Sequence, residues 1–278
     1  MNEPTAGGPP NARVTARDLA RYKERGEKIP MLTCYDYPMA RILDRCDVPV
    51  LLVGDSLGNV VLGYESTLPV TMEEMIHHAK AVMRAKPRAL VVVDMPFMSF
   101  QVSAEKAVEA AGRIIKKTGA DAVKLEGAGD RLDAVARIHR AGIPVMGHLG
   151  LTPQSILRIG RYRVQGRGQA AKQGLLHDAL SLQEAGSFAV VLEAVPGEVA
   201  GEITAKLRIP TIGIGAGASC DGQVLVLHDM LGLYEDFKPR FVRHFGHLAR
   251  AVEESVTSYS RAVRDGSFPA DDESYPGG

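Results

Sequence analysis

The chain has 278 residues, of which 45% are hydrophobic and 24% charged, as is typical of a globular protein with a sizeable core. Its 33 Lys and Arg residues balance 33 Asp and Glu residues, which argues against nucleic-acid binding, and no apolar run approaches the roughly 18 residues of a membrane span. Its three cysteines are widely spaced and form no C-x-x-C motif, which favours a reduced, cytoplasmic protein.

Both ends of the chain differ in composition from the rest. Residues 1–13 are polar and rich in Gly and Pro, and they lack the apolar segment of a secretory signal. Residues 266–278 are also polar and contain several Gly and Pro residues. We expect both segments to be disordered tails flanking one folded domain over 14–265.

Between the tails, apolar strands alternate with amphipathic helices. A first helix begins after Thr15 and ends near Gly26. Strands are predicted at 31–35, 50–55, 89–94, 122–126, 144–148, 189–193, 210–214 and 223–228. Further helices are predicted at 38–45, 72–86, 104–118, 130–141, 170–186, 197–207 and 238–264, the first three of them capped by Asp36, Thr71 and Ser103.

This alternation predicts the fold class. Strand–helix repeats imply a parallel sheet with right-handed crossovers. Eight repeats in about 200 residues favour a closed (β/α)₈ barrel, the TIM barrel, with an extra N-terminal helix and an extra C-terminal helix. An open doubly wound sheet is the alternative. It is disfavoured because no G-x-G-x-x-G opens the first helix and no acid follows at the expected distance.

Acidic residues end four of the predicted strands, and a histidine ends a fifth. These residues are Asp55, Asp94, Glu126, His148 and Glu193. In a (β/α)₈ barrel, catalytic groups come from the carboxyl ends of different strands. Taken singly, each acid could cap a turn or form a salt bridge at the rim. Taken together, the set predicts a functional site at the mouth of the barrel.

A lysine lies in the same region. Lys124 and Glu126 are two residues apart in one strand, so their side chains point to the same face. That face is the lumen, because the outer face of a barrel packs on helices. A buried lysine is costly unless it is paired with acids or used in the reaction. The carboxylate oxygens favour Mg²⁺ or Mn²⁺ over Zn²⁺.

A basic loop follows the fifth strand. Arg158, Arg161, Arg163 and Arg167 all lie within residues 152–169. Such a loop is either simply solvated or able to close over an anionic substrate. The residues alone leave both interpretations open.

Short motifs in a fixed order link the chain to a known family. They are Leu32–Asp36, Val53–Gly58, Gly63–Thr71, Asp94–Phe97, Ala122–Gly127, Gly147–Gln154, Leu192–Pro196, Gly213–Gly217 and His228–Gly232. On these motifs, residues 14–262 resemble the ketopantoate hydroxymethyltransferase family. One departure is Arg161, at a position where the family usually has a second Gly.

The resemblance implies a transfer of a one-carbon unit that depends on Mg²⁺, with one ion per subunit. The co-substrate 5,10-methylenetetrahydrofolate would donate a hydroxymethyl group to 3-methyl-2-oxobutanoate. The product would be 2-dehydropantoate, on the route to pantothenate and coenzyme A. The family is similarly described as a (β/α)₈ barrel, and the resemblance implies a cytoplasmic homodecamer built from pentamers.

The resemblance also implies roles for individual residues. Asp55, Asp94 and Glu126 would belong to the metal site. Ser56 and Lys124 would bind the 2-oxo acid, together with Asp55 and Asp94. Lys124 would add positive charge where the oxyanion of an enolate develops. A divalent cation on the carbonyl oxygen would stabilise the same charge as a Lewis acid.

Two further roles concern protons. Glu193 would accept the proton from C3 of the oxo acid, as a general base. His148 would also contact the substrate, either by hydrogen-bonding the new hydroxyl group or by orienting a neighbour. These two residues complete the predicted site.

Two other functions compete with this one. A Mg²⁺-dependent lyase or mutase of the phosphoenolpyruvate/2-oxo-acid type would share the barrel and the Gly–Asp–Ser strand end. A barrel without catalytic activity would act only as a binding protein or scaffold. Intact Lys124, Glu126 and Glu193 argue against the scaffold.

Overall fold

The computed structural model describes residues 13–160, 163–234 and 239–275, and within them eight parallel strands close into a barrel. The strands are β1 Ile29–Thr33, β2 Val50–Val53, β3 Leu90–Asp94, β4 Ala122–Glu126, β5 Val145–Gly150, β6 Ser187–Glu193, β7 Thr211–Ile214 and β8 Gly222–Leu225. Each strand pairs with the next in chain order, and β1 pairs with β8. The predicted (β/α)₈ barrel is therefore confirmed, and the open doubly wound sheet is excluded.

Helices precede, connect and follow the strands along the chain. They are α1 Ala16–Glu24, α2 Tyr37–Arg45, α3 Leu57–Val60, α4 Met72–Arg84, α5 Ala104–Thr118, α6 Leu132–Arg140, α7 Ile156–Ile159, α8 Gln169–Glu184, α9 Gly197–Lys206, α10 Leu227–Leu231 and α11 Leu248–Asp265. The side chains of Asp36, Thr71 and Ser103 each accept a hydrogen bond from a first-turn backbone N–H, so the three predicted caps are confirmed. No helix in the described ranges is both long and apolar enough to span a membrane.

Alternate residues of the strands fill the lumen of the barrel. The buried cluster contains Leu19 of α1 and the strand residues Ile29, Met31, Val50, Leu52, Leu90, Val92, Ala122, Met146, Ala189, Val191, Ile212 and Val224. Side chains in a strand alternate between faces, so the same lumen-facing row continues two residues further on. In β3 that step leads from Val92 to Asp94, and in β6 it leads from Val191 to Glu193. The lumen is therefore apolar in its lower part and polar at its carboxyl end.

Local structure differs from the prediction at two places near the mouth. Strand β2 ends at Val53, and Gly54–Ser56 form a turn that leads into α3. The predicted loop over 152–169 contains a 3₁₀ turn, Pro153–Ser155, followed by α7. Helices of three or four residues have no periodicity that a sequence pattern can reveal.

The segment from Leu227 onward forms a compact unit distinct from the unit that ends at Val226. Two predictions were wrong here. The eighth strand ends at Leu225, because His228 lies in α10. The C-terminal helix begins at Leu248 rather than near 238. Just before it, the backbone hydrogen-bonds to α10 instead of continuing as helix, because Phe245 N donates to Met230 O at 2.8 Å.

The predicted N-terminal tail lies outside the described residues except for Arg13, whereas the predicted C-terminal tail is described over residues 266–275. Arg13 is described, and its guanidinium pairs with Asp121 at 2.8 Å. Residues Asp271–Glu273 form a 3₁₀ turn. The domain limits of 14–265 stay a prediction.

Candidate active site

The carboxyl ends of β3, β4 and β5 bring buried polar side chains together at the mouth of the barrel. The strand register places Asp94 beside Lys124 and Glu126 beside His148. Asp55 enters the same region from the turn after β2. Each of these five side chains belongs to a residue that is at most 6% exposed. We call Asp55, Asp94 and Glu126 the acid cluster.

Lys124 and Asp94 form a buried ion pair. The Lys124 Nζ lies 2.7 Å from Asp94 Oδ1. Burial disfavours the charged ammonium, but attraction to Asp94, Asp55 and Glu126 outweighs it and raises the pKa of Lys124. Lys124 therefore supplies a permanent positive charge inside the lumen.

Asp55 is held by two hydrogen bonds. Its backbone N–H donates to Asp94 Oδ2 at 3.1 Å, and its Oδ2 accepts from Gln154 Nε2 at 2.9 Å. Burial, followed by repulsion from Asp94 and Glu126, raises the pKa of Asp55 to about 8, although Lys124 and Gln154 oppose the shift. Burial and the crowding of three carboxyl groups therefore favour the protonated form of Asp55, and a bound cation would oppose this effect.

His148 bridges two carboxylates. Its Nδ1 lies 3.3 Å from Glu126 Oε1, and its Nε2 lies 3.2 Å from Glu193 Oε2. Burial and Lys124 disfavour the imidazolium, but the nearby carboxylates of Glu126 and Glu193 outweigh them and raise the pKa of His148 to about 9. The Glu193 side chain is 16% exposed, more than that of His148 at 4%. The Glu193 carboxylate is therefore more exposed than the carboxylates of the acid cluster.

A pH dependence of stability follows from His148. Its folded-state pKa of about 9 lies above the ordinary 6.5, so the charged ring stabilises the fold fully below about pH 6.5. That contribution is lost as the pH rises through 9. We expect the Tm of the metal-free protein to fall more between about pH 7 and about 9.5 than that of His148→Gln. The control His177→Gln, at an exposed position, should behave like the wild type. If Tm falls with pH equally in all three proteins, the charge on His148 does not contribute to stability in this range.

Ser56 lies next to the acid cluster in the turn after β2. Its Oγ is 2.9 Å from the hydroxyl of Tyr35, a residue only 2% exposed. The predicted site did not include Tyr35, although Tyr35 lies in the motif Leu32–Asp36. Ser56 is therefore fixed by a buried phenol.

Gln154 is a second residue that the sequence analysis missed. Its side-chain Nε2 donates to Asp55 Oδ2 and to Met95 O, each at 2.9 Å. Its backbone N–H donates to Glu126 Oε2 at 3.0 Å. Gln154 ends the motif Gly147–Gln154, which was the only sequence signal for its importance.

A cleft of about 570 Å³ lies beside the acid cluster. Glu126 and Gln154 form part of its wall, and Phe97, Arg131 and Arg158 are among its other lining residues. Arg158 is the member of the predicted basic loop that lines this cleft. Arg161, from the same loop, lies outside the described residues.

The chemistry of the acid cluster fits a hard divalent cation, because carboxylate oxygens are the ligands that Mg²⁺ prefers. Within the ranges that the structure describes, however, no group of three His, Cys, Asp or Glu side chains is arranged to hold a metal ion by itself. Mg²⁺ commonly keeps several waters and uses only one or two carboxylates together with substrate oxygens. The residues therefore fit an ion that water and substrate help to coordinate.

A family model described as ketopantoate hydroxymethyltransferase matches residues 13–271. The 3-methyl-2-oxobutanoate hydroxymethyltransferase of Moorella thermoacetica is 56% identical over 264 residues, which cover 95% of this chain and 98% of that protein. The protein of the same name from Chlorobaculum tepidum is 55% identical over 279 residues, covering 99% of this chain and 100% of that protein.

Several solved structures share the fold at low sequence identity. Phosphonopyruvate hydrolase, solved with oxalate and Mg²⁺, has a TM-score of 0.61 and 11% identity, covering 94% of this chain and 93% of that one. The 2,3-dimethylmalate lyase, a member of the PEP mutase/isocitrate lyase superfamily, has a TM-score of 0.59 and 17% identity, covering 94% and 91%. These similarities show the barrel architecture alone.

Proposed function

Because the chain belongs to the ketopantoate hydroxymethyltransferase family, we propose that it transfers a one-carbon unit from 5,10-methylenetetrahydrofolate to C3 of 3-methyl-2-oxobutanoate. The C3–H bond is broken and a C3–CH₂OH bond is formed, water supplies the oxygen of the new hydroxymethyl group, and tetrahydrofolate leaves, giving 2-dehydropantoate. The observation that carries the proposal is the arrangement at the barrel mouth. A buried cation, Lys124, lies among the acid cluster, and His148 connects that cluster to Glu193. Such a site can remove a proton and stabilise the resulting negative charge.

The first proton transfer is assigned to Glu193. Removal of the C3 proton of a 2-oxo acid gives an enolate, whose negative charge spreads onto the carbonyl oxygen. The Glu193 carboxylate is the most accessible acid of the site and can receive this proton. His148, protonated and in contact with Glu193, holds the carboxylate in place.

The developing oxyanion is stabilised by fixed positive charge. Lys124 is buried, fully charged and immobilised by Asp94, so it needs no reorganisation when the charge develops. Ser56, held by Tyr35, is suited to donate a hydrogen bond to the carboxylate of the oxo acid. Lys124 and Ser56 together orient the substrate.

We assign the residues of the acid cluster, Asp55, Asp94 and Glu126, to one Mg²⁺ per subunit. The support is the mutual repulsion of these carboxyl groups, which a cation would relieve, and their oxygen-only donor set. When bound, the ion would act as a Lewis acid on the carbonyl group of the oxo acid.

The folate donor is assigned to the cleft beside Glu126 and Gln154. The cleft adjoins the site and offers the aromatic ring of Phe97 and the cations Arg131 and Arg158. A pteridine ring and the carboxylates of a folate tail match these two kinds of group. The donor carbon would then approach the enolate from the side of Glu126.

Arg158→Ala tests this placement. Loss of one exposed cation is worth up to about 1 kcal/mol, so the KM for 5,10-methylenetetrahydrofolate should rise about two- to fivefold. The KM for the oxo acid should not change. Arg208→Ala is the matched control, because Arg208 is an exposed residue that pairs with Glu184 on another part of the barrel. An unchanged folate KM in Arg158→Ala would contradict the placement.

We further propose a cytoplasmic location and a homodecamer built from pentamers. The support for both is the family resemblance and, for the location, the cysteine pattern. Light scattering of the purified protein measures the subunit number directly.

Deuterium exchange tests the proposed chemistry without the folate. The purified protein with Mg²⁺ in D₂O should exchange the C3 proton of 3-methyl-2-oxobutanoate, and EDTA should stop the exchange. NMR follows the loss of the C3–H signal. No exchange above the uncatalysed rate with Mg²⁺ present would contradict the enolate mechanism.

A further inference from the structure

Gln154 occupies an unusual position for an uncharged side chain. It lies on the 3₁₀ turn Pro153–Ser155 that follows β5, and it is only 5% exposed. It takes no part in the proposed proton transfer or in stabilising the oxyanion. Its contacts nevertheless reach two members of the acid cluster, Asp55 and Glu126, which come from different parts of the barrel.

The side-chain amide of Gln154 has a single possible orientation. The Asp55 carboxylate and the Met95 carbonyl are both acceptors, so the two hydrogens of Nε2 must face them. The amide oxygen Oε1 then accepts from Gln101 Nε2 at 3.1 Å. Every hydrogen of the amide is used, and its oxygen has a donor. An apolar side chain of the same length would leave Asp55 without this donor.

The backbone of Gln154 acts on the second carboxylate. Its N–H donates to Glu126 Oε2, while the other oxygen of Glu126 lies near His148. One residue thus restrains one oxygen of Asp55 and one oxygen of Glu126. Asp94 is linked to the same arrangement, because its Oδ2 accepts from the backbone N–H of Asp55.

We propose that Gln154 is a positioning residue that holds Asp55 and Glu126 in the orientation needed to bind the divalent cation, an inference that rests on the proposed function. Groups that hydrogen-bond to metal ligands fix the ligand orientation before the ion arrives. Their loss typically lowers metal affinity or activity 10- to 100-fold. Gln101 lines the cleft and donates to the amide oxygen of Gln154, so it helps to hold the Gln154 side chain in place.

The test is Mn²⁺ binding, measured by electron paramagnetic resonance on the purified full-length protein. Mn²⁺ takes the same oxygen ligands as Mg²⁺ and is visible by this method. Gln154→Met keeps the length of the side chain but removes its donors. We expect its Kd for Mn²⁺ to rise about 10- to 100-fold, because Asp55 loses its fixed orientation.

A matched control separates positioning from general stability. Gln183 is also buried, and its Oε1 accepts from Arg208 N at 2.6 Å, far along the chain from the acid cluster. Gln183→Met should lower the Tm without changing the Kd for Mn²⁺. If Gln154→Met lowers the Tm in the same way and leaves the Kd unchanged, its role is structural and the inference is wrong.

A second variant keeps the inference testable if Gln154→Met does not fold. Gln101→Met removes the donor to the Gln154 amide oxygen and the acceptor for the Phe100 N–H, but no bond to the acid cluster itself, so we expect a smaller rise in Kd, about two- to fivefold. An unchanged Kd in this variant, with Gln154→Met unfolded, would overturn the inference. If the wild-type protein binds no Mn²⁺, the proposed metal site itself is wrong. If the wild type binds Mn²⁺ and the variants bind it with the same Kd, only the positioning role of Gln154 is wrong.

Discussion

Glu193→Gln will still bind Mg²⁺ and 3-methyl-2-oxobutanoate, but it will lose about 10²- to 10⁴-fold in the rate of C3 deuterium exchange. Glutamine has nearly the shape of glutamate but cannot accept a proton from carbon. The acid cluster and Lys124 remain, so binding of the ion and of the oxo acid should survive. NMR in D₂O measures the exchange, and calorimetry measures the binding of the oxo acid.

The control for this variant is Glu198→Gln. Glu198 is an exposed acid in the first turn of α9, shortly after β6. Its replacement changes the charge near the mouth by the same amount without removing the proposed base. Exchange should continue at the wild-type rate. Undiminished exchange in Glu193→Gln would show that another group takes the proton.

Asp94→Ala should have the second large effect, on metal binding and on stability together. Asp94 is a proposed metal ligand, and it is also the close partner of Lys124 at 2.7 Å and the acceptor for the Asp55 N–H at 3.1 Å. Removing one partner of a buried ion pair typically costs about 3–5 kcal/mol of folding free energy. We expect a loss of this size in chemical denaturation, with metal affinity lowered by about 100-fold or more.

Two further variants separate the effect on metal affinity from the effect on folding free energy. Asp133→Ala removes an exposed acid that pairs with Arg137, and it should change neither the metal affinity nor the folding free energy appreciably. Asp94→Asn keeps the shape and the acceptor oxygen but removes the charge, so it should bind metal weakly while retaining more stability than Asp94→Ala. A metal titration that is the same in Asp94→Ala and in the wild type would refute Asp94 as a ligand.

The fold was predictable because its signal is periodic. Each strand is an apolar run between polar turns, and α2, α4 and α5 each follow a recognisable cap, which is Asp36, Thr71 or Ser103. The same regularity placed Asp94, Lys124, Glu126 and Glu193 on one side of the sheet, since side chains alternate along a strand. Counting residues was enough to predict that they meet at the mouth.

The remaining parts of the site could not be predicted, because they depend on contacts between distant segments. Gln154 is 99 residues from Asp55 in the sequence, and no local pattern distinguishes it from a solvated amide. Tyr35 reaches Ser56 through a similar long-range contact. The predicted strand over 223–228 was too long because an apolar run that ends in His228 is compatible with either a strand or the start of a helix.

The most direct test of the proposed function is the fate of a labelled one-carbon unit. The protein is incubated with 3-methyl-2-oxobutanoate, Mg²⁺ and 5,10-methylenetetrahydrofolate carrying ¹³C in the methylene group, and the products are identified by NMR and mass spectrometry. We predict ¹³C in the hydroxymethyl group of 2-dehydropantoate, and no product when either the folate or the metal is left out. The absence of labelled product, together with folate-independent cleavage of a carbon–carbon bond in a 2-oxo or 2-hydroxy acid, would contradict the transferase and favour a lyase on the same barrel.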